Sequence, residues 1–338
     1  MKKVGLFGGS FDPVHKGHIE LAKQVLKDCD LDEVWFILTY SQPLKDGHVE
    51  SFNNRKKLLE IATKPYKKLK VCDIESKLPA PSYTYNTVKA LKKQYPNNQF
   101  MWIIGDDQLE HLDKWYQIDK LLEMIAFSVV NRSNIKRDKR FKYVDFKHPA
   151  SSSAVRSGNF NFLHKNVREV IYKDQMYFNH ILRNRLSEKR ASHTLRCVDV
   201  ALEISNFYNI DQSDVFKAVV LHDIAKELDK DVELEIMRKY YPQHLDKHPK
   251  IYHQYTGAYI AKKDFCIFDK KILAAIKSHT TGDNTSLLGM ITYVADKLER
   301  GRPYAVEHYI TMCKENIYQG FKIVKRDAEM ARNKGVNK

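Results

Sequence analysis

The length, composition and charge of the chain exclude several classes of protein. Its 338 residues predict two domains, and 43% hydrophobic with 11% aromatic residues exclude a disordered chain. Lysine and arginine number 57 against 42 aspartate and glutamate residues, and the net charge of +15 favours anionic partners: nucleotides, nucleic acid or a phospholipid surface. No apolar run approaches the ~18 residues of a membrane span. The apolar run at residues 4–7, which follows two lysines, is too short for the hydrophobic region of a secretory signal. We therefore expect a cytoplasmic protein with no membrane partner.

The cysteines lie far apart, and no C-x-x-C pair occurs among Cys29, Cys72, Cys197, Cys266 and Cys313. Neither a disulfide framework nor a cysteine zinc site is indicated by this spacing. We expect buried thiols.

Short apolar runs alternate with helical patterns in the first half of the chain. Residues 4–7, 34–38, 100–104 and 126–130 have the apolar composition of buried strands. Between the first two, the spacing of Leu21, Ala22, Val25 and Leu26 predicts one face of a helix. This alternation predicts an α/β fold of the Rossmann-like, doubly wound type with a parallel sheet.

From about residue 180 the strand-like runs disappear and helical spacing takes over. Val198, Ala201 and Leu202 are spaced as on one helix, and Val215 and Val219 as on the next. We expect an all-α second half. The change of pattern predicts two domains, residues 1–178 and residues 179–338.

The first candidate site follows the first strand, in the segment of residues 8–18. Glycines let the backbone approach a phosphate, and the start of the following helix offers N–H groups and a positive dipole end. His15 and His18 stand three residues apart on the first turn, with Gly17 between them, so both imidazoles point the same way. The arrangement suits nucleotidyl transfer, in which positioning and charge stabilisation do most of the catalysis.

These residues resemble a known signature. The run Gly9-Ser10-Phe11-Asp12-Pro13, followed by His15 and by Gly17-His18, is similar to the signature of bacterial nicotinate-mononucleotide adenylyltransferases. Residues 82–87, 104–107, 130–132 and 151–156 follow in that family's order, so the resemblance covers residues 1–178. It implies catalysis by His15 and His18 and binding of the phosphates of ATP, with Mg²⁺ screening charge, by Gly8, Gly9, Ser10, Phe11, His15, His18, Ser152, Ser153 and Arg156.

The same resemblance implies a second set of residues that bind the pyridine mononucleotide: Lys45, Thr84, Asp107, Trp115, Tyr116 and Arg132. An aromatic plane can stack on a pyridine, and an arginine can bind a phosphate through two hydrogen bonds. The chain departs from the family at residues 42–45, Gln-Pro-Leu-Lys where a Pro-Pro-His-Lys turn is usual, and at Asn86 and Asp106, where aspartate and alanine are common. Nicotinate mononucleotide is the expected acceptor, and the nicotinamide form is left open.

The second candidate site consists of histidine and aspartate residues in the helical half: His193, His222, Asp223, His253, His279 and Asp296. Imidazole and carboxylate together suit iron, manganese or zinc better than calcium. Adjacent helical residues lie ~100° apart, so His222 and Asp223 can reach one metal only from the end of a helix. Such a site suits hydrolysis of a phosphoester or phosphoanhydride.

Three segments here, residues 221–226, 278–282 and 294–299, resemble the HD-domain hydrolases of the YqeK family over residues 190–321. The resemblance implies symmetrical cleavage of diadenosine tetraphosphate to two ADP at an iron-type centre. His193, His222, Asp223 and Asp296 would be the core ligands, and His253 and His279 would complete a second metal position or contact phosphate. Asp223 and Lys226 would be catalytic, and the polyphosphate would be bound by Lys226, Thr280 and Arg302.

We therefore expect a bifunctional enzyme that transfers AMP from ATP to nicotinate mononucleotide and hydrolyses diadenosine tetraphosphate. In one alternative the HD domain acts on other nucleotides, and in another it is a nucleotide sensor without catalysis. Nucleic-acid binding through the +15 charge would give steeply salt-dependent association, and no specific nucleic acid is expected. The oligomeric state, including a homo-oligomer, is left open.

Overall fold

The structure is a computed structural model that describes residues 1–41, 50–132 and 137–333. The chain divides into two compact units. The first consists of Met1–Val155 and Phe162–Arg168, and the second of Arg156–Asn161 and Glu169–Lys338. The domain limits at 1–178 and 179–338 remain a prediction.

The described residues of the first unit form a six-stranded parallel sheet. Its strands are β1 Lys3–Gly9, β2 Glu33–Leu38, β3 Leu69–Cys72, β4 Gln99–Gly105, β5 Ala126–Asn131 and β6 Lys142–Asp145, in the order β3-β2-β1-β4-β5-β6. The order reverses between β1 and β4, which pair with each other, and ligands of such sheets bind outside the carboxyl ends of the strands at this point. The predicted α/β fold is confirmed.

Helices accompany this sheet: α1 Lys16–Asp28, α2 Phe52–Thr63, α3 Thr84–Gln94, α4 Ile118–Met124 and α5 Ser152–Arg156. The predicted face of α1 is confirmed, because Leu21, Ala22 and Val25 are buried and Leu26 is partly buried. The core of the sheet includes Leu6 and Trp102, which are buried on neighbouring central strands. The carboxyl ends of β1 and β4 are thus fixed by packing, and the loops that follow them start from rigid positions.

The second half is helical, as predicted. Residues 180–333, all of which the structure describes, contain helices and no strand. After α6 Lys165–Lys173 and α7 Phe178–Arg185 come α8 Glu188–Ser205, α9 Gln212–Val220, α10 Lys230–Tyr240, α11 Tyr252–Lys263, α12 Lys270–Ser278, α13 Leu287–Leu298, α14 Glu307–Glu315 and α15 Ile317–Asn333. Helices α8, α9 and α13 contact one another and form the centre of this unit. No helix in the described ranges is long and apolar enough to cross a membrane.

A short segment, residues 156–161, belongs to the second unit although it precedes the last part of the first. Phe160 is fully buried there, with ring centroids 5.5 Å from Tyr172, 5.8 Å from Phe178 and 5.2 Å from Phe265. Its backbone N–H donates to the carbonyl of Asp264 at 2.8 Å. Aromatic packing and a backbone hydrogen bond therefore fix this segment in the helical unit.

Candidate active sites

The two predicted histidines of the first unit meet at the start of α1. His15 is the N-cap residue, and its backbone N–H donates to Nδ1 of His18 at 3.2 Å. The two rings stack with centroids 3.6 Å apart and an interplanar angle of 23°. Because Nδ1 of His18 accepts, the proton of the neutral ring is on Nε2, which is the donor available to a ligand.

Both rings are neutral before a ligand binds. Burial, with a smaller contribution from the nearby Arg132, lowers the pKa of His15 to about 4. Burial also holds the pKa of His18 well below its usual range, again with Arg132 among the causes. A bound anion reverses this balance, because an opposite charge favours the protonated imidazole. The site therefore gains favourable interactions on binding an anion.

At Gly17 there is no room for a side chain between the rings of His15 and His148. A Cβ atom there would stand 3.0 Å from Nδ1 of His148 and 3.1 Å from Cε1 of His15. Glycine at this position lets two imidazoles pack directly against the helix start.

Gly8, Gly9, Ser10, Phe11 and Ser152 of the predicted ATP set lie in the same loop or contact it. Gly8 and Gly9 end β1, and Phe11 is buried with its ring nearly perpendicular to that of His18, at a centroid distance of 5.0 Å. The Ser152 hydroxyl donates to the carbonyl of Pro13 at 3.0 Å, which links residues 151–156, including Ser153, to the loop before α1. Arg156 is the first residue of the second unit, and its role towards ATP remains a prediction.

Asp107 and Arg132 of the predicted mononucleotide set meet over Gly105, where β4 ends. A Cβ on Gly105 would clash with Oδ1 of Asp107 and would stand 3.9 Å from Cζ of Arg132. The buried Asp106 holds both residues in place, because its carboxylate accepts from the backbone N–H of Arg132 at 2.8 Å and of Asp107 at 3.1 Å. A carboxylate and a guanidinium thus lie together beside the end of β1.

The aromatic residues of the mononucleotide set differ in exposure. Tyr116 is 48% exposed and stacks on Tyr83, with centroids 4.8 Å apart, next to Thr84 at the start of α3. Trp115 is partly buried and packs against the core, 6.4 Å from Phe127. Thr84 and Tyr116 are therefore brought together, and Tyr116 offers the more accessible plane for stacking. Lys45 lies outside the described residues.

Arg55 was not predicted from the sequence, although it organises this site. It is buried, and its guanidinium donates to the carbonyls of Ser10 at 2.7 Å, Thr39 at 3.0 Å and Glu50 at 2.8 Å. One cation thereby joins the loop between β1 and α1 to the end of β2 and the start of α2. All these partners are backbone carbonyls, which leave no pattern in a sequence.

Replacing Arg55 by methionine is expected to destabilise the first unit by about 3 kcal/mol, because buried carbonyls lose their donors. All three tryptophans, Trp35, Trp102 and Trp115, lie in this unit, so their fluorescence during urea unfolding reports on it alone. The exposed Lys93→Met serves as the matched control. Equal unfolding midpoints for the two variants would show that Arg55 contributes nothing to stability.

The predicted metal residues of the second unit form one buried cluster. His193 lies on α8, His222 and Asp223 follow α9, and three more residues come from α11, the end of α12 and α13: His253, His279 and Asp296. Nε2 of His193 is 3.2 Å from Oδ1 of Asp296. Oδ1 of Asp223 is 3.4 Å from Nε2 of His253 and 3.3 Å from Nε2 of His279. Five separate segments thus converge on one point.

Hydrogen bonds behind the cluster orient its imidazoles. Nδ1 of His222 donates to the carbonyl of Val219 at 2.6 Å, and Nδ1 of His279 donates to that of Ile276 at 2.8 Å. A carbonyl can only accept, so each Nδ1 carries a proton and each Nε2 faces the cluster.

His222 provides the test of whether a metal fits. Burial lowers the pKa of His222 to about 4, so the ring is neutral and its Nε2 presents a lone pair. That nitrogen is buried without a hydrogen-bond partner among the described residues, and carboxylate oxygens of Asp223 and Asp296 each lie 3.9 Å away. Three acceptors that face one another are stabilised by a cation between them. The residues therefore fit a metal held by nitrogen and oxygen donors.

The protonation states agree with this fit. Burial would raise the pKa of Asp223, but His222 and His279 outweigh it and hold that pKa well below its usual value. Burial is likewise outweighed at Asp296, where Lys297 and His193 hold the pKa well below its usual value. Burial lowers the pKa of His253 to about 2. His222, Asp223, His253 and Asp296 are thus in the deprotonated forms that bind metals.

The predicted polyphosphate residues line the cluster. Nζ of Lys226 is 2.9 Å from Nε2 of His253, and burial lowers the pKa of this lysine. The Thr280 hydroxyl is 3.1 Å from Nε2 of both His253 and His279. The guanidinium of Arg302 lies 3.2 Å from Oδ1 of Asp296. Two cations and a hydroxyl group therefore stand beside the candidate metal position.

Cys197 was expected only as a buried thiol, and the structure brings it to the cluster. All five cysteines lie in described ranges and are free thiols, and four of them are buried whereas Cys72 is partly buried. Sγ of Cys197 is 3.5 Å from Nε2 of His193, and both residues belong to a possible metal-binding group with His222 and Asp296. Burial raises the pKa of Cys197 well above its usual value, which keeps it a thiol and a poor ligand. The four-residue spacing from His193 was the available signal.

Glu299 was also missed as a residue of this site. It is buried, accepts from the guanidinium of Arg196 and from the backbone N–H of Gly301 at 2.7 Å, and faces Nδ1 of His193 at 3.3 Å. A carboxylate behind a metal-binding histidine fixes its ring orientation and raises its basicity. Glu299 therefore positions His193.

Replacing Glu299 by glutamine is expected to weaken metal binding by about 10- to 100-fold, because His193 loses its negatively charged partner. Metal loss to a competing chelator measures this without any turnover. Glu235→Gln, on the exposed face of α10, is the control. Equal metal retention by both variants would exclude the positioning role.

The fold and the two clusters define the class of protein: a Rossmann-like nucleotidyltransferase unit joined to a helical HD unit. The cytidylyltransferase-like family matches residues 6–165, and the HD domain family matches residues 190–301.

Relatives cover both halves. A protein of Mycoplasma genitalium named probable nicotinate-nucleotide adenylyltransferase/Ap4A hydrolase is 30% identical over 341 residues, which cover 95% of this chain and 96% of that protein. A Mycoplasma pneumoniae protein of the same name is 30% identical over 87% of this chain and 88% of its own length. The Bacillus subtilis nicotinate-nucleotide adenylyltransferase is 44% identical over 39% of this chain and 70% of its own length. The chain belongs to the family of these Mycoplasma proteins, and in it a cytidylyltransferase-like domain is followed by an HD domain.

Proposed function

We propose that the chain is a bifunctional enzyme that transfers AMP from ATP to nicotinate mononucleotide in residues 1–178 and hydrolyses diadenosine tetraphosphate symmetrically in residues 179–338. The observation that supports this most strongly is that relatives named for both activities align with nearly the whole chain. Both clusters described above also contain the residue types that the two reactions need.

In the first reaction, the phosphate of the mononucleotide attacks the α-phosphorus of ATP in line and displaces pyrophosphate. Nε2 of His18, the ring of His15 and the N-terminal end of α1 stabilise the negative charge that develops on the phosphates. Mg²⁺ accompanies ATP and screens its charge. Arg132 and Asp107 hold the mononucleotide, with Tyr116 stacked on its pyridine ring. Catalysis therefore consists of positioning and charge stabilisation, without a covalent enzyme intermediate.

Chromatography of the products formed from ATP and nicotinate mononucleotide tests this activity. Deamido-NAD and pyrophosphate in equal amounts are the expected products. Nicotinamide mononucleotide, supplied in a parallel reaction, decides the acceptor. Failure to form a dinucleotide from either acceptor would overturn the proposal for this half.

In the second reaction, the HD cluster binds the polyphosphate chain. His193, His222, Asp223 and Asp296 would hold a metal of the iron, manganese or zinc type, which when bound would supply positive charge for phosphate oxygens and acidify water. His253 and His279 complete the cluster. Lys226 and Arg302 offset the remaining phosphate charge, and the Thr280 hydroxyl is placed to donate to a phosphate oxygen. Cleavage at the middle of the chain gives two ADP molecules.

Incubation with diadenosine tetraphosphate and added iron or manganese tests the second activity. ADP as the sole nucleotide product supports symmetrical cleavage, whereas AMP with ATP would indicate an asymmetrical enzyme. If the protein hydrolyses other nucleotides and leaves diadenosine tetraphosphate intact, the proposed substrate is wrong. Nucleotide binding without any hydrolysis would favour the sensor alternative.

A further inference from the structure

A third histidine lies at the start of α1, and sequence analysis gave it no role. We propose that His148 is a third imidazole of the ATP site and donates from Nε2 to the phosphate chain. This inference rests on the proposed transferase function and adds a residue to its phosphate site.

The position of His148 is defined by Gly17. Nδ1 of His148 and Nδ1 of His15 stand 3.0 and 3.1 Å from the same point, the Cβ position of that glycine. The ring of His15 in turn stacks on that of His18. Three imidazoles are therefore gathered around the first turn of one helix, where the backbone N–H groups and the dipole favour an anion.

Two contacts fix the orientation of the His148 ring. The backbone N–H of Ala150 donates to Nδ1 at 3.0 Å, and the ring of Phe146 is stacked nearly parallel, at 7° and a centroid distance of 6.1 Å. Because Nδ1 accepts, the proton is on Nε2, and no residue in the described ranges accepts a hydrogen bond from it. The ring thus offers one oriented donor.

His148 lies a few residues before the predicted phosphate-binding segment, residues 151–156. Ala150 precedes Ser152, whose hydroxyl contacts the carbonyl of Pro13 in the first phosphate loop. His148 is therefore held between the two segments that carry the other predicted phosphate ligands.

Electrostatics support a phosphate partner. Nδ1 of His148 and the ring of His15 lie on the same side of Gly17, and a positive charge near His15 disfavours its protonation. Neutral imidazoles beside a positive helix end offer N–H donors to an anion, and a bound anion also favours their protonated forms. A polyphosphate carries enough negative charge for all three rings.

Two substitutions separate the donor from the structural role of the ring. Asparagine can accept the Ala150 N–H through a local turn but has no group at the Nε2 position, whereas glutamine can place an amide donor there and loses the local acceptor. Pyrophosphate binding by calorimetry is the first readout, because it does not depend on turnover. The exposed His111→Asn in the same unit is the control.

His148→Asn is expected to weaken pyrophosphate binding by about 10-fold and to lower kcat/KM for ATP by a similar factor, with the KM for the mononucleotide unchanged. His148→Gln should retain most of the affinity. The reverse ranking, with wild-type affinity in the asparagine variant, would reduce His148 to a cap on Ala150 and overturn the inference. If the wild type binds pyrophosphate but transfers no AMP, the proposed function fails and the binding comparison still decides the role of His148.

Discussion

Alanine in place of Asp223 is expected to reduce hydrolysis of diadenosine tetraphosphate on the order of 10³-fold and to leave adenylyl transfer unchanged. Its carboxylate lies within 3.4 Å of His253 and His279 and within 3.9 Å of His222, so it connects the two sides of the cluster. Without it, the pocket loses a buried negative charge that opposes the nearby Arg190 and Lys226. Release of ADP, measured beside metal content, checks the expectation.

Two further variants make this result interpretable. Asp223→Asn retains the shape of the side chain without its charge, and equal losses in both variants would assign the effect to charge. Asp199→Ala, on the exposed side of α8, controls for a general effect on the helical unit. Hydrolysis that persists in the alanine variant would remove Asp223 from the site.

His18→Ala is expected to lower the kcat of adenylyl transfer by about 10²- to 10³-fold, with a smaller effect on ATP affinity. The reason is that its Nε2–H is oriented by the hydrogen bond from the His15 backbone to Nδ1, so the donor is in place before the phosphate charge develops. Steady-state kinetics with both substrates varied measures the two effects separately. Hydrolysis by the helical unit should be unaffected.

His111→Ala, in the 3-10 helix after β4, is the matched control for this variant. A raised KM for ATP with an unchanged kcat would contradict the expectation, because it would assign His18 to binding in the ground state. Equal kcat values for both variants would exclude His18 from the reaction.

The central strands were predictable from the sequence and the edge strands were not. Residues of β1, β2, β4 and β5 form continuous apolar runs because both faces of these strands are covered. The edge strands β3 and β6 have four residues each, and only Leu69 and Val144 among them are buried. Strands this short and polar give no periodic signal.

The candidate sites show a similar division. The grouping of His15 and His18 was predictable because helical spacing places them on one turn. The aspartate and histidine residues of the second cluster were predictable because their side-chain chemistry is unusual in a helical core. Arg55 could not be found this way because it binds backbone carbonyls such as that of Ser10, which is distant in the sequence. His148 could not be found because its ring packs against Gly17, which is also distant in the sequence. Tertiary contacts of this kind depend on the fold and leave no local pattern.

The exchange of segments between the two units has a consequence for any attempt to separate the activities genetically. The chain leaves the first unit after Val155, returns at Phe162 and leaves again after Arg168. In the helical unit, the ring of Phe160 packs against Tyr172, Phe178 and Phe265. A gene truncated to start at codon 179 would keep only Phe265 of these four aromatic residues. The complementary fragment would expose the other three rings to water. Loss of either half by a single truncation would therefore damage the half that remains.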